Sequence, residues 1–587
     1  MRSYYCEISF DIETDDLKAT KIWCIVAIDE DHTIHTFPPD KIEQGIEFLK
    51  TAHTLIGHNI LGFDIPVIKE LYGVDLYDKK IIDTLVVSRL INPNKEKGHS
   101  LKNWGFLLGQ NKGEPPSDFT EYSQEMLDYC IKDVELNKKL YNHLQQHVKG
   151  FSQESLDLEH AVFKIIAKQR KDGFKFDMFM AMALLSTLVE RRKEVEEEVH
   201  ETFKPKWVDV KEIVPRLKKD GTLSKQGLTE HEYNNLLEKF KDVPMPKDYK
   251  FIRKQLVEFN LGSRKQIGEY LIDFGWKPER FTPTGQPIVD EKTLKKIDHI
   301  HEANLIAEFL LLQKRIAQIQ SWVDAVEDDG RVHGGVVSNG AITGRMTHNS
   351  PNMAQVPSIH NVYGKACREC WTVEDGNKLV GIDASQLELR ILAHYMADQE
   401  YINEILHGDI HKTNQDLAGL ESRDQAKTFI YALIYGAGDE KIGKIIGGTR
   451  EQGRRMRESF LSSLPSFNNL KRRVESATRK GFLKGLDGRK IKLRHKHAAL
   501  NTLLQCGGAV VMKRALVELV SLLDLNTIQY KIVANVHDEW QIETLEKTAD
   551  FVGEMGVKAI KNTADYYDMR CPLDGEYKIG GNWSETH

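Results

Sequence analysis

Two apolar runs in the C-terminal half of this 587-residue chain each end in aspartate, 155 residues apart. Leu379-Val-Gly-Ile-Asp383-Ala-Ser-Gln-Leu-Glu388-Leu-Arg390 reads as a strand that ends in an acid and passes into an amphipathic helix. Ile532-Val-Ala-Asn-Val-His537-Asp538-Glu539-Trp-Gln-Ile-Glu543 reads as a hairpin with acids at its turn, because apolar residues alternate on both sides of His-Asp-Glu. An acid at the carboxyl end of a strand is a usual metal ligand in α/β sites. Only a folded sheet built from both segments can bring Asp383 and Asp538 together.

Between them lies Arg423-x3-Lys427-x3-Tyr431-x3-Tyr435-Gly436. Steps of four in a 3.6-residue helix keep these side chains on one slowly drifting stripe. Two cations followed by two aromatics form a template for a nucleoside triphosphate, the cations meeting phosphates and the rings meeting sugar and base. A polyanion also fits the charge distribution. The net charge is −6, yet residues 441–497 carry 17 Lys/Arg against 4 Asp/Glu. A basic segment in an acidic protein suggests one surface dedicated to a polyanion, and a merely solvated helix face is the other reading of the same charges.

A second set of acids lies near the N-terminus. Asp11 and Glu13, in Phe10-Asp-Ile-Glu-Thr14, share one face of a strand by period 2. Two such carboxylates repel unless a cation lies between them, which suits Mg²⁺ or Mn²⁺. Asp64 follows in Gly57-His-Asn-Ile-Leu-Gly-Phe-Asp64, and Tyr129-x3-Asp133 puts a phenol beside a carboxylate on one helix face. A metal nuclease needs three or four such acids and a group to orient water. Asp83, in Ile82-Asp-Thr-Leu85, reads as a capping residue instead.

The rest bounds the class. Hydrophobic residues make up 41% and charged residues 29%, an ordinary globular composition with length for several domains. No stretch of about 18 apolar residues marks a membrane span, and no apolar h-region marks a secretory signal. Seven scattered cysteines suggest reduced thiols and a cytoplasmic setting. The Cys367-x2-Cys370 pair lacks a second ligand pair nearby and reads as two incidental thiols. Residues 1–150 alternate strands (3–12, 22–29) with helix (123–147). Residues 151–325 are mostly helical (184–202, 303–326) around a Lys/Pro-rich insertion at 203–250 that reads as irregular. Residues 330–587 are mixed α/β, with a strand at 379–383, a helix at 423–435 and a final hairpin.

Taken in order, the C-terminal segments resemble motifs A, B and C of the family A (Pol I-type) DNA polymerases. They lie closest to the replicative polymerases of T-seven-like short-tailed bacteriophages. Thr343-Gly-Arg345-Met-Thr-His-Asn-Ser-Pro-Asn-Met-Ala-Gln355, Gly408-Asp-Ile-His411, Asp487-Gly-Arg-Lys490 and His497-Ala-Ala-Leu-Asn501-Thr-Leu-Leu-Gln505 support the match. The N-terminal acids resemble the DEDDy 3′–5′ exonucleases. The resemblance implies an α/β multidomain chain: an RNase H-like exonuclease at 1–150, then a right-hand polymerase. Its parts are a thumb at 151–335 with a shortened insertion near 203–259, palm at 336–420, fingers at 421–490 and palm again at 491–587.

It also implies residue roles. Asp383, Asp538 and the Ala384 carbonyl would hold two Mg²⁺ ions, which Mn²⁺ can replace, with Glu539 close behind. Arg423, Lys427 and His411 would meet the incoming phosphates, Lys427 protonating pyrophosphate. Glu388 with Tyr431 and Tyr435 would crowd out a ribose 2′-hydroxyl. Tyr431, phenylalanine in other members, implies acceptance of dideoxynucleotides. Arg345, Gln355, Asn501, Gln505 and His537 would line the primer–template minor groove. Asp11, Glu13, Asp64 and Asp133 would hold the exonuclease metals, and Tyr129 would orient water. A single-subunit RNA polymerase shares the palm logic, but Glu388 and the exonuclease set favour deoxynucleotides. Both palm acids argue against a dead palm. Expected partners are primer–template DNA, dNTPs, phage helicase-primase and single-strand-binding protein in a host cytoplasm. Phage relatives can grip host thioredoxin through a thumb insertion; the shorter, differently composed stretch here leaves that dependence open.

Overall fold

The computed structural model describes residues 6–110, 112–493 and 495–587. The described residues up to 180 together with 324–587 form one compact unit, and residues 181–323 form a second.

Within the larger unit, the N-terminal sheet has five strands: Glu7–Thr14, Ile22–Ile28, Ile34–Phe37, Thr54–Gly57 and Lys80–Asp83. Their spatial order is third, second, first, fourth, fifth. The first strand pairs antiparallel with the second and parallel with the fourth, so it sits in the middle. Ile22–Ile28 is buried at every position, because side chains cover both faces. Helix Gln124–His147 starts where the Ser123 hydroxyl accepts the Met126 N–H. Its buried stripe includes Met126, Cys130, Asp133 and Asn137, steps of three and four that turn Asp133 inward with the apolar residues. The first strand begins at Glu7 rather than 3, and residues 3–5 of the expected strand lie outside the described residues.

A second sheet organises the C-terminal half. Strand Asn377–Ala384 pairs antiparallel with Glu539–Leu545 on one side and with Gly575–Gly580 on the other, and Tyr530–Val536 flanks Glu539–Leu545. Helices Ala499–Leu525 and Ala549–Tyr566 share one core with it, through Leu504, Val511, Leu516, Ile382, Trp540 and Ile560. Leu158, Val162 and Ile166 of helix Gln153–Asp172 enter the same core. Residues 151–180 therefore belong with the larger unit.

The second unit corrects one expectation. The stretch 203–250 is not irregular: strand Lys206–Ile213 pairs with Phe251–Val257, and helix Glu230–Lys239 lies between them. Both strands are solvent-exposed along most of their length, so they lack the apolar alternation that marks a strand. The helix carries a capping box, Thr229 with Glu232, a signal that was present in the sequence. Helix Met178–Thr202 covers the expected span 184–202 and starts earlier, and helix His301–Val323 starts before the expected 303–326 and ends short of it.

One buried ionic cluster ties three parts of the larger unit. Lys513 Nζ lies 2.6 and 2.8 Å from the two Glu159 oxygens. Arg489 lies 2.7 Å from Glu159 and 2.7 Å from Asp487. No side chain in the cluster is more than 3% exposed. Burial pulls the Lys513 ammonium down from its ordinary value, while Glu159 and Asp487 outweigh burial and hold Arg489 further in its charged form. Removing one partner strands a charge, at a cost of about 3–5 kcal/mol. Glu159→Ala is expected to lower the denaturation midpoint of the larger unit accordingly. The pair Glu159→Met with Lys513→Met should cost less than the sum of the two single changes, read by urea unfolding.

Candidate active sites

The central strand ends in Asp383 and Ala384, and Asp383 pairs in register with Glu539 and with Glu576. Asp538 lies in the two-residue turn between Val536 and Glu539, where His537 has φ of 59°, the left-handed conformation such turns use. The Ala384 N–H donates to the Asp538 carbonyl at 3.1 Å, pinning the two distant segments together. Burial, then the charges of Asp538, Glu539 and Glu576, push the Asp383 carboxyl up to about 7.

Glu539 is held differently. Its Oε1 accepts from Trp583 Nε1 at 2.7 Å and Gln541 Nε2 at 2.5 Å, and its Oε2 pairs with His587 Nδ1 at 3.0 Å. Burial alone would raise its pKa, but the bonds from His587 and Trp583 outweigh it and hold the carboxylate below its ordinary range. Trp583 and His587 were missed from sequence, since no spacing or motif singles them out.

Helix Arg423–Ile434 begins where Ser422 accepts the Gln425 N–H, and Tyr435 is its C-cap. Arg423 Nε bonds Asp409 at 2.7 Å, and Asp409 caps the helix that carries His411. Lys427 is exposed and joins no ion pair among the described residues. His411 is buried, its Nδ1 has no partner, and burial followed by Arg423 and Lys427 lowers its pKa. The Tyr431 ring lies 6.4 Å from both His411 and Tyr435. Burial and the charges of Glu388 and Asp538 raise the Tyr431 phenol. Glu388 is gripped from two sides: the Tyr435 hydroxyl donates to Oε2 at 2.8 Å and Arg345 Nη2 donates to Oε1 at 3.1 Å. The structure thus gathers Asp383, Asp538, Glu388, Tyr431, Tyr435 and Arg345 around one place.

Among the expected minor-groove residues, Arg345 and His537 line one small cavity with Met346 and Asn535. Asn501 and Gln505 lie one turn apart on helix Ala499–Leu525, and Gln355 ends the short helix Met353–Gln355. In the basic stretch, Arg450, Arg454, Arg455, Arg472, Arg473 and Arg479 are exposed on helices or their ends. Arg494 and the Lys496 side chain lie outside the described residues. Cys367 and Cys370 are both fully buried, and burial pushes the Cys370 thiol up to about 12.

The N-terminal acids also converge. Asp11 and Glu13 project from one face of the middle strand, with ligand atoms within 4.8 Å of each other and of Cys130 Sγ. Asp64, at the start of helix Asp64–Tyr72, accepts the Ile12 N–H at 3.1 Å. Asp133 faces them, with one oxygen 2.6 Å from Lys112 Nζ and the other buried without a partner among the described residues. Lys112 also lies 4.8 Å from the Tyr129 ring centroid. Burial first, then mutual repulsion, raises Asp11 well above its ordinary value and pushes Glu13 up to about 8. Burial likewise takes Asp64 up to about 7. The cluster floors a cleft of about 830 Å³, also lined by His58, Arg89 and His99. Lys112, Cys130 and Arg89 were not legible as site residues. Asp83 is structural, as expected: it accepts the N–H groups of Asn59, Leu61 and Leu85 and so braces the loop before Asp64.

Comparison with known proteins agrees with the polymerase geometry. The DNA polymerase family A description matches residues 233–585. The chain is 33% identical to a DNA-directed DNA polymerase of Enterobacteria phage T3, over 98% of this chain and 99% of that protein. It is also 33% identical to that of Escherichia phage T7, over 91% and 92%. The POL domain of Pol1 from M. smegmatis, solved in complex with DNA primer-template and dNTP, superposes with a TM-score of 0.78 at 17% identity, covering 99% of this chain and 96% of that one. With its acid pair at one end of the neighbouring central strands and the cation–aromatic helix beside it, the chain belongs to DNA polymerase family A and is a DNA-directed DNA polymerase.

Proposed function

We propose that the chain replicates phage DNA at the Asp383–Asp538 site and proofreads it at a separate 3′–5′ exonuclease site built from Asp11, Glu13, Asp64 and Asp133. The observation that carries this reading is the presence of two acid clusters on two different sheets. Burial first, then neighbouring charge, pushes Asp383 in one cluster up to about 7, and Glu13 and Asp64 in the other up to about 8 and about 7. We read the N-terminal sheet and its covering helix as an RNase H-like DEDDy domain, and residues 181–323 as the main body of the thumb.

The donor sets fit a hard divalent cation such as Mg²⁺: clustered carboxylate oxygens, and at Asp133 a buried oxygen with no partner among the described residues. Asp383, Asp538 and the Ala384 carbonyl would hold it at one site, and the four N-terminal acids at the other. When bound, Mg²⁺ acidifies the primer 3′-hydroxyl or the attacking water and neutralises phosphate charge. The chain's own groups do the rest. Lys427, exposed and unpaired, reaches the triphosphate and gives the leaving pyrophosphate its proton. Arg423 and His411 orient the same phosphates. Glu388, fixed by Tyr435 and Arg345, forms the floor beneath the sugar with Tyr431 and leaves a 2′-hydroxyl no room and no partner. Glu539, bound to Trp583 and His587, keeps the Asp538 turn in place rather than touching substrate. Tyr129 orients water for excision. Arg345 and His537 lie on the minor-groove side, where the degenerate pattern suits an enzyme that accepts every correct pair.

Three experiments test the reading. A labelled primer on template is incubated with Mg²⁺, with and without dNTPs. Asp538→Ala should lose extension by at least about 1000-fold and still shorten the primer, and Asp11→Ala should do the reverse. Overlapping loss of both activities in either variant would defeat the two-site reading. Glu388→Ala should raise ribonucleotide incorporation relative to deoxynucleotide by about 10- to 100-fold in kcat/KM, and unchanged discrimination would remove the gate.

The third experiment uses the metal-free protein. Glu13 and Asp64 carry folded pKa values of about 8 and about 7, above their ordinary values, so the folded state holds their protons more tightly than the unfolded chain. Their contribution to stability is therefore present at low pH and lost as pH rises through about 7 to 8. In EDTA, the melting temperature of the wild type should rise as pH falls from 8 toward 5.5, with Glu13→Gln showing a shallower slope. Mg²⁺ should raise the wild-type melting temperature more at pH 8 than at pH 5.5.

A further inference from the structure

The N-terminal acid cluster contains a sulfur atom that excision with a hard cation does not call for. Cys130 Sγ and one carboxylate oxygen each of Asp11 and Glu13 all lie within 4.8 Å of one another. Helix Gln124–His147 carries the thiol to that place: its inward stripe sets Cys130 against strand Glu7–Thr14, where Sγ donates to the Asp11 carbonyl at 3.7 Å. A cysteine that only fills space is surrounded by apolar groups. Cys130 has such a flank, made by Val26, Leu127 and Val134. Its other flank meets two carboxylates.

A second sulfur stands behind the first. Cys24 lies opposite Glu13 in the register of the first two strands. Its thiol is in hydrogen-bonding contact with Cys130, and both residues are fully buried. Asp133, three positions beyond Cys130 on the same helix, is 3% exposed and keeps one oxygen without a partner among the described residues. This donor set differs in kind from an all-oxygen site. Mg²⁺ takes oxygen ligands in near-octahedral geometry and keeps several waters. Thiolate selects softer cations such as Zn²⁺, which sits in a tetrahedron of sulfur, nitrogen and carboxylate oxygen. Asp11, Glu13 and Cys130 supply three such ligands, and Asp133 or a water completes the tetrahedron. The bound thiol gives its proton to solvent. Cys24 then donates its S–H to the metal-bound sulfur, the part that groups behind metal ligands play. The Asp383 cluster offers no such choice: Glu539 and Glu576 flank Asp383 in the sheet, and all three offer oxygen.

We propose that Asp11, Glu13 and Cys130 form a site for a thiophilic divalent cation, Zn²⁺ in particular, whose occupancy arrests excision and leaves synthesis running. Zn²⁺ held by the sulfur fixes the two acids in a tetrahedral arrangement and takes them from the octahedral ion that excision needs. The consequence for excision rests on the exonuclease reading above; the binding of the cation does not.

The test uses the full chain, with Co²⁺ as the spectroscopic stand-in for Zn²⁺. Adding Co²⁺ to metal-free wild type is expected to produce a near-ultraviolet thiolate-to-cobalt charge-transfer band, and Zn²⁺ should then abolish it. Cys130→Ser and Asp11→Ala should each lose the band, whereas a chain carrying both Cys367→Ala and Cys370→Ala should keep it. A band absent from wild type, unchanged in Cys130→Ser, or lost with Cys367 and Cys370 overturns the site. Asp11→Ala leaves the thiol in place, so a band that persists there also overturns it, even if Cys130→Ser folds poorly. Shortening of a single-stranded oligonucleotide in Mg²⁺ is then followed as Zn²⁺ is added. The Zn²⁺ concentration that halves excision should be at least about 10-fold lower for wild type than for Cys130→Ser, each read against its own zinc-free rate, because loss of a ligand costs no less than loss of a group behind one. Primer extension by wild type should hold across that range. Equal zinc sensitivity in the two proteins, or extension that fails together with excision, overturns the arrest. If wild type in Mg²⁺ alone never shortens the oligonucleotide, the exonuclease reading falls instead, and the cobalt spectrum still decides the site.

Discussion

The bond from the Ala384 N–H to the Asp538 carbonyl joins the end of one strand to the turn of a hairpin formed more than 150 residues later. The two carboxylates of the proposed polymerase site can meet only because that bond and the ladder behind it fix the register Asp383↔Glu539. The ladder in turn depends on what covers it. Helices Ala499–Leu525 and Ala549–Tyr566 and the linker helix Gln153–Asp172 press one apolar core against the sheet, with Ile382, Trp540 and Ile542 fully buried. The site thus sits at the polar rim of the largest hydrophobic cluster. The cost of crowding Asp383, Asp538 and Glu576 is offset by that core, while Glu539 is held by its own partners, Trp583 and His587.

Two ways of handling buried negative charge appear in the same unit. Glu539 is given hydrogen-bond donors, Trp583, Gln541 and His587, which hold its carboxylate below its ordinary range. Asp11, Glu13 and Asp64 are given burial and each other, and their affinity for protons rises instead. The first arrangement makes a fixed brace. The second makes a set of oxygens whose repulsion is relieved only by a cation from outside, whether a proton, a metal ion or the Lys112 ammonium that reaches Asp133.

The candidate site residues could be singled out because their spacing is local. Period 2 places Asp11 with Glu13, steps of four align Arg423, Lys427 and Tyr431, and the apolar runs around Asp383 and Asp538 announce strands ending in acids. What completes each site is not local. Trp583 and His587 reach Glu539 from the far end of the sheet, and Lys112 approaches Asp133 from an irregular loop, so no periodicity records either contact. The ribbon Lys206–Ile213 with Phe251–Val257 escaped notice for a different reason: both its faces meet water, and a strand without a buried face has no hydrophobic signature. The edge strand Gly575–Gly580, with only partial burial, was hidden in the same way.

The Glu159–Arg489–Lys513 cluster has a consequence for how such a chain can change over time. Glu159 lies on the helix that leaves the N-terminal region, Arg489 beside a short strand of the basic segment, and Lys513 on the longest helix of the sheet's cover. None of the three can be replaced singly without stranding a charge in a dry interior. They form a unit of inheritance spread across 355 positions of sequence: exchange of the N-terminal region between related chains succeeds where the acceptor already holds both cations, and divergence at any one position has to pass through simultaneous change at the others.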